Sequence, residues 1–201
     1  MFGKTIRMFS EGRFFQNLHE RTMRTMRQSI RTQVLAQPGI TLPALRRRLI
    51  LLHRLSPITF GGLVKVKPGT RQIEKIVEGE RQLVYANEAT FRFKGDPTLF
   101  KAWNSKAPSF MGEAEIEDHT LTRTYHQVGN SREEVERWAR DDGALIKVLL
   151  ARYQPAIDDY HAWVEPAIGQ SLLYSADHID LWRLEGELDV ARLNARLKAA
   201  A

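Results

Sequence analysis

Apolar positions recur at helical spacing in the first third of the chain. Leu18, Met23, Met26, Ile30 and Val34 form one stripe, and Arg21, Arg24, Gln28 and Arg31 follow another, so residues 11–36 are predicted to be an amphipathic helix. Gln37-Pro38-Gly39 ends it. A second helix is predicted from Thr41, whose hydroxyl suits an N-cap, with Pro43 in the first turn. Leu42, Leu45, Leu49 and Leu52 share a face of that helix, Arg46, Arg47 and Arg48 point away from it, and Ser56-Pro57 stops it.

From Gly61 the periodicity changes to short β-branched runs separated by Gly and Pro. Leu63–Lys67, the turn Pro68-Gly69-Thr70 and Ile73–Val77 read as a hairpin, followed by strands at Gln82–Ala86 and Ala89–Phe93. Asp96-Pro97 opens a short helix through Leu99, Phe100 and Trp103, with Pro108 beyond its end. Glu113–Glu117 and Thr120–His126 read as two more strands. Ser131 and Glu134 form a capping box that starts a long helix, predicted to reach about Glu165 with a bend near Pro155, and further helices follow. Helices, then strands, then helices define an α+β fold: an N-terminal basic helix pair, a central, mostly antiparallel sheet with one short inserted helix, and long C-terminal helices. The linear division drawn from this order is a helical arm or helix pair at 1–57 and an α+β core domain with C-terminal helices at 58–201.

Charge sharpens this outline. No acidic residue lies between Glu20 and Glu74, a stretch that holds eleven Arg and Lys residues. Residues 1–73 carry 14 basic and 2 acidic side chains, net +12, and residues 74–201 carry 16 basic and 22 acidic, net −6. Such asymmetry points to an anionic partner, most often nucleic acid or a membrane surface. Phe2, Met8, Phe9, Phe14 and Phe15 beside Lys4, Arg7 and Arg13 raise the membrane reading, but polar residues interrupt the apolar face too often for insertion, and the Phe residues read as staples onto a core.

Composition removes several chemistries. The chain has 201 residues, 43% of them hydrophobic and 27% charged, which suits one or two packed domains rather than a disordered polymer. It has no Cys, which excludes thiolate nucleophiles, redox pairs and Cys-ligated zinc, and fits a reducing compartment. Apolar runs do not exceed four residues, as at Leu49–Leu52, far below the ~18 of a membrane span, and Met1-Phe2-Gly3-Lys4 opens on no secretory apolar run; the cytoplasm is the expected compartment. Phosphate-loop, dinucleotide, zinc-protease and nucleophile-elbow motifs are absent, and no Asp/Glu-x-Lys triplet follows Asp96 to make a nuclease set.

Three clusters have ligand-type residues: Asp177, His178 and Asp180; Asp158, Asp159 and His161; and Glu113, Glu115, Glu117 and His119. Neither short cluster has the paired-His spacing of a zinc protease, and alternating Glu on a strand reads as a solvated face, so no metal, cofactor or catalytic residue is expected. Phe91, Phe93, Phe100, Trp103, Tyr125, Trp138, Tyr153, Trp163 and Trp182 could stack bases if displayed on a sheet, but they coincide with apolar faces and read as core.

The strongest constellation is the Arg-bearing helix pair followed by basic strands, the order of parts in a winged helix-turn-helix. Its phosphate-holding candidates are Arg21, Arg24, Arg31, Arg46, Arg47, Arg48, Lys65 and Lys67. The expected function is a non-catalytic nucleic-acid-binding subunit with nucleic acid and other protein subunits as partners. The alternative is a structural or scaffolding subunit of an assembly, such as a phage particle, whose basic arm docks on acidic protein.

The stretch from Leu55-Ser56-Pro57-Ile58 through Phe91-Arg92-Phe93-Lys94-Gly95-Asp96-Pro97-Thr98-Leu99-Phe100, Pro108-Ser109 and Glu115–Tyr125 to Ile157, Tyr160 and Trp163 resembles small uncharacterised bacterial proteins found in antiphage-defence gene neighbourhoods. That resemblance, across about residues 55–165, implies membership of a defence assembly and supplies no catalytic residues. The basic N-terminal helices lie outside it.

Overall fold

The structure, a computed structural model, describes residues 4–8, 11–77, 79–102 and 112–200, with only the backbone of 4, 77, 112 and 193–200. Trp103, Pro108 and Ser109, together with Phe2 and Phe9, lie outside the described residues. The fold is α+β: strands β1 (Lys4–Met8), β2 (Thr59–Lys67), β3 (Gln72–Val77), β4 (Glu80–Lys94), β5 (Gly112–Glu117) and β6 (Thr120–Gln127), with helices α1 (Phe14–Ala36), α2 (Leu42–His53), α3 (Arg132–Ala151), α4 (Gln154–Tyr174) and α5 (Ala176–Ala200). No helix among the described residues is long and apolar enough to cross a membrane.

The chain groups into two compact units, each discontinuous in sequence: Met1–Phe14 with Ser56–Pro155, and Phe15–Leu55 with Ala156–Ala201. One crossing, at 55/56, falls within two residues of the linear division at 57/58. The grouping redistributes the charge. The first unit holds eighteen basic and fifteen acidic side chains, net +3, and the second holds twelve basic and nine acidic, also net +3. The acidic C-terminal helices therefore fold beside the basic N-terminal ones, and the contrast between chain halves survives only as a contrast between helices of one unit.

In the first unit the strands run in the order β1-β5-β6-β4-β2, all pairs antiparallel, with β3 also on β4. Paired residues point to the same side, so the register sorts the two faces. Phe60, Val66, Ala89, Phe91, Phe93 and Leu121 are buried on one. Lys65, Lys67, Glu88, Thr90, Thr122 and Thr124 lie on the other. Helix α3 covers the apolar face with Val135, Ala139, Gly143, Ile146 and Leu150, three to four residues apart. A Cβ on Gly143 would sit 3.3 Å from the Phe91 ring, so glycine there lets the helix settle onto the aromatic layer.

The hairpin expected between Leu63–Lys67 and Ile73–Val77 does not form. Strands β2 and β3 pair instead with successive parts of the same edge of β4, β2 with residues 88–94 and β3 with 80–85. The strand β4 is continuous over 15 residues where two strands were expected. Its middle is fixed by Asn87, fully buried, whose Oδ1 accepts from Gly69 N at 2.9 Å and so holds the β2–β3 link against the strand. With β2 and β3 unpaired to each other, the basic hairpin expected to act as a wing after the second helix is not realised.

Local signals elsewhere hold. Thr41 Oγ1 accepts from Ala44 N, Ser131 Oγ from Glu134 N, and Asp96 Oδ1 from Thr98 N at the start of a 3-10 turn, Pro97–Lys101. The helix expected to bend near Pro155 instead stops at Ala151, and α4 begins at Gln154 with Pro155 in its first turn, where a missing amide costs nothing.

The second unit is helical. Met26, Ile30 and Val34 of α1 are buried at four-residue intervals, each burial contributing ~1.5–3 kcal/mol. Thr22, rather than Met23, takes the inward position one turn earlier. Thr22 and His19 reach Tyr160 and Trp163 of α4, and Leu55 N donates to His161 Nε2 at 3.2 Å, tying the end of α2 to α4. Leu45 and Leu49 of α2 are buried, whereas Leu42 and Leu52, expected on the same face, are half exposed.

Candidate nucleic-acid interface

Arg21 and Arg24 project from α1 into solvent, and Arg24 is 79% exposed with Glu20 at 3.6 Å as a loose partner. Arg31, one of the phosphate-holding candidates, is engaged within the protein: its Nη2 donates to both carboxylate oxygens of Glu185 on α5, at 2.9 and 3.2 Å. That pair ties the basic α1 to α5 within the helical unit.

The three arginines of α2 differ. Leu45 and Leu49 face inward, which turns Arg46, Arg47 and Arg48 outward, and all three are exposed. Successive residues diverge by about 100° around a helix, so at most two of them can meet one surface. Among the described residues no carboxylate pairs with Arg21, Arg27, Arg46, Arg47, Arg48 or Arg54, while eleven ion pairs form elsewhere. Their charge is therefore uncompensated by direct contact.

Lys65 and Lys67 belong to the other unit. They share the polar side of β2, as their spacing requires, but Lys67 pairs with Glu88 at 3.4 Å. Their face also carries Glu113 and Glu115 around a concavity of about 620 Å³, so it is mixed in sign. The eight candidates thus divide: Arg21, Arg24, Arg46, Arg47 and Arg48 form an exposed cationic set in one unit, Arg31 is paired within that unit, and the two lysines stand on a mixed surface in the other.

One feature of the helical unit was not legible as a site. Arg24, Arg27, Gln28 and Arg31 of α1 and Trp182 of α5 line a concavity of about 400 Å³. The spacing of the four α1 residues puts them on one helix face and is visible in the sequence, but nothing there places Trp182 beside them. The Arg27 guanidinium carbon lies 6.0 Å from the indole centroid, at the outer limit of a cation–π contact. His178 stacks on the same indole, with centroids 5.7 Å apart.

The ligand-type clusters have structural positions. His161 accepts from Leu55 N, and His178 packs on Trp182. His119 sits in the β5–β6 turn at φ +63°, following Asp118 at φ +41°, with its ring 5.8 Å from Phe93. Among the described residues no three His, Asp or Glu side chains are grouped to hold a metal ion. Two other histidines are perturbed. Burial lowers the pKa of His53, whose Nε2 is shielded and without a hydrogen-bond partner, and burial with the nearby Lys75 ammonium lowers that of His126.

Fold and surface together define an α+β protein with an exposed arginine set on two helices of one unit, of which Arg21, Arg46, Arg47 and Arg48 have no ion-pair partner among the described residues. No family model, curated protein or solved structure matches the chain.

Proposed function

We propose that the protein is a non-catalytic nucleic-acid-binding subunit that holds backbone phosphates with Arg21, Arg24, Arg46, Arg47 and Arg48. The observation that supports this reading is the absence of ion-pair partners, among the described residues, for Arg21, Arg46, Arg47 and Arg48, all solvent-exposed on α1 and α2. A guanidinium whose charge is not matched within the protein is free to release counterions from a polyanion, and its planar fork fits two phosphate oxygens. Lys67 and Arg31 have acidic partners and Lys65 stands on a face of mixed sign, so these three contribute less. A place in a cytoplasmic antiphage-defence assembly rests on the sequence resemblance across about residues 55–165.

A second reading has its own support. Leu181, Leu184 and Leu188 of α5, at i, i+3 and i+7, are each more than half exposed, which suits a structural subunit that packs on protein. Fluorescence anisotropy with a labelled 20-base-pair duplex, a single strand and an RNA in 50 mM salt separates the two. Micromolar binding that weakens in Arg46→Gln/Arg47→Gln/Arg48→Gln supports the first reading. If none of the three nucleic acids binds, the structural-subunit reading replaces it.

A further inference from the structure

The helical unit offers one concavity in which cations converge instead of fanning out. Arg24, Arg27 and Arg31 stand at i, i+3 and i+7 of α1, so their side chains rise from a single stripe, and Trp182 of α5 completes the wall. We infer that this concavity is a phosphate-binding site for a nucleotide unit, with Arg24 and Arg27 as the principal donors and Trp182 as its apolar wall.

Charge favours such a ligand. Three guanidinium groups bring +3, and Glu185, bound to Arg31 through both oxygens, returns −1. Glu20 stands 3.6 Å from Arg24, but both side chains are more than half exposed, and a solvated pair of that kind is screened and weak. The site is left with a net charge between +1 and +2, the complement of a phosphodiester or a phosphate monoester. Arg27 has no carboxylate partner among the described residues. What the wall lacks is an anion with several acceptor oxygens.

Size and preorganisation point the same way. A volume of about 400 Å³ falls within the ~300–1,000 Å³ usual for small-ligand clefts and leaves room for a sugar beside the phosphate. Arg31 is held by Glu185, so it does not begin as a freely moving chain and less entropy is lost on binding. The indole gives the sugar or base an apolar contact that a bare inorganic anion cannot use. The phosphate can come from a strand, in which case the site deepens the nucleic-acid reading and rests on it, or from a free mononucleotide, in which case it does not.

The test uses the full chain and three probes in 50 mM salt: a labelled 10-nucleotide single strand followed by anisotropy, adenosine monophosphate by calorimetry, and inorganic phosphate by calorimetry. The expected result is that Arg24→Gln/Arg27→Gln weakens the strand or the mononucleotide at least ten-fold and that inorganic phosphate binds more weakly than either. Bound ligand should also quench tryptophan fluorescence, and Trp182→Phe should abolish the quench; should that variant lose its fold by circular dichroism, the arginine pair carries the test alone. Strand binding that depends on Arg46, Arg47 and Arg48 but is unchanged in Arg24→Gln/Arg27→Gln overturns the site and leaves the nucleic-acid reading standing. Arg27-dependent binding of the mononucleotide with no binding of the strand keeps the site, and overturns that reading if duplex and RNA also fail to bind. Failure of all three probes overturns the site, and the nucleic-acid reading is then decided by the duplex and the RNA.

Discussion

Thr22 and Tyr160, 138 residues apart in sequence, meet inside the helical unit, with the Thr22 Oγ1 3.0 Å from the Tyr160 hydroxyl and both side chains buried. This contact joins the basic α1 to α4, and it explains why Thr22 rather than Met23 faces inward: a hydroxyl in that position has a partner, and Met23 can stay in solvent.

A buried hydroxyl pair predicts non-additivity. Thr22→Val and Tyr160→Phe should each cost ~1 kcal/mol, since each leaves a hydroxyl with one bond fewer. The double variant should cost clearly less than the two costs added, because neither of the two hydroxyls is left facing the other's absence. Urea denaturation of the four proteins measures this, and strict additivity would show that the two groups do not share a bond.

In the sheet unit, Asp142 of α3 accepts from Arg123 and, at 2.7 Å, from the Tyr125 hydroxyl. Burial and the carboxylate beside it hold the Tyr125 pKa above its ordinary value. Asp142→Asn removes the charge facing a guanidinium whose side chain is 12% exposed, and should destabilise by ~1–3 kcal/mol, less than a fully buried pair would. The amide keeps an acceptor oxygen at that position, so Asp142→Ala should cost more; equal thermal midpoints for wild type and both variants would mean that the trio adds nothing.

Much of the fold was legible because it is written locally. The α1 seam, the Thr41 and Ser131 caps and the Glu113–Glu117 alternation each need only a few neighbouring residues. What escaped depends on distance along the chain. Thr5-Ile6-Arg7-Met8 is too short to announce a strand, and β1 exists because β5 pairs with it, Ile6 opposite Ala114. Asn87-Glu88 looked like a break in β4, but Asn87 is buried against the β2–β3 link. The arginines of α1 and α2 were legible as exposed cations, whereas the acidic partner of Arg31 and the tryptophan beside Arg27 lie more than 150 residues away.

The two perturbed histidines fix the sign of a pH effect. His53 and His126 have folded-state pKa values below the ordinary value of about 6.5, so below that pH the unfolded chain binds more protons than the folded one. Stability must therefore fall as pH drops through about 6.5, and this contribution stops growing once the folded-state values are passed. Thermal melts at pH 7.5 and 5.5 should show a drop that is smaller in His53→Gln/His126→Gln than in wild type. An equal drop in both proteins would assign the effect to carboxylates.

Salt dependence counts the phosphate contacts. Each Arg engaged releases condensed counterions, so log affinity for duplex DNA should fall linearly with log salt, with a slope near −0.9 per contact. Not all candidates can contribute: Arg31 is bound to Glu185, Lys67 to Glu88, and Arg46, Arg47 and Arg48 diverge around α2. Roughly three to four contacts remain, which gives a slope of about −3 and a loss on the order of 10²-fold between 50 and 200 mM salt. Replacing Arg46, Arg47 and Arg48 by Gln should flatten the slope by at least about one unit, with little change in helix propensity to confuse lost binding with lost folding. The same change at Arg132, Arg137 and Arg140 provides the control, since each already pairs with Glu134 or Glu136 on α3. A slope that responds to neither triple variant would place the binding outside α2; one that responds only to the first would identify Arg46, Arg47 and Arg48 as groups that meet the polyanion.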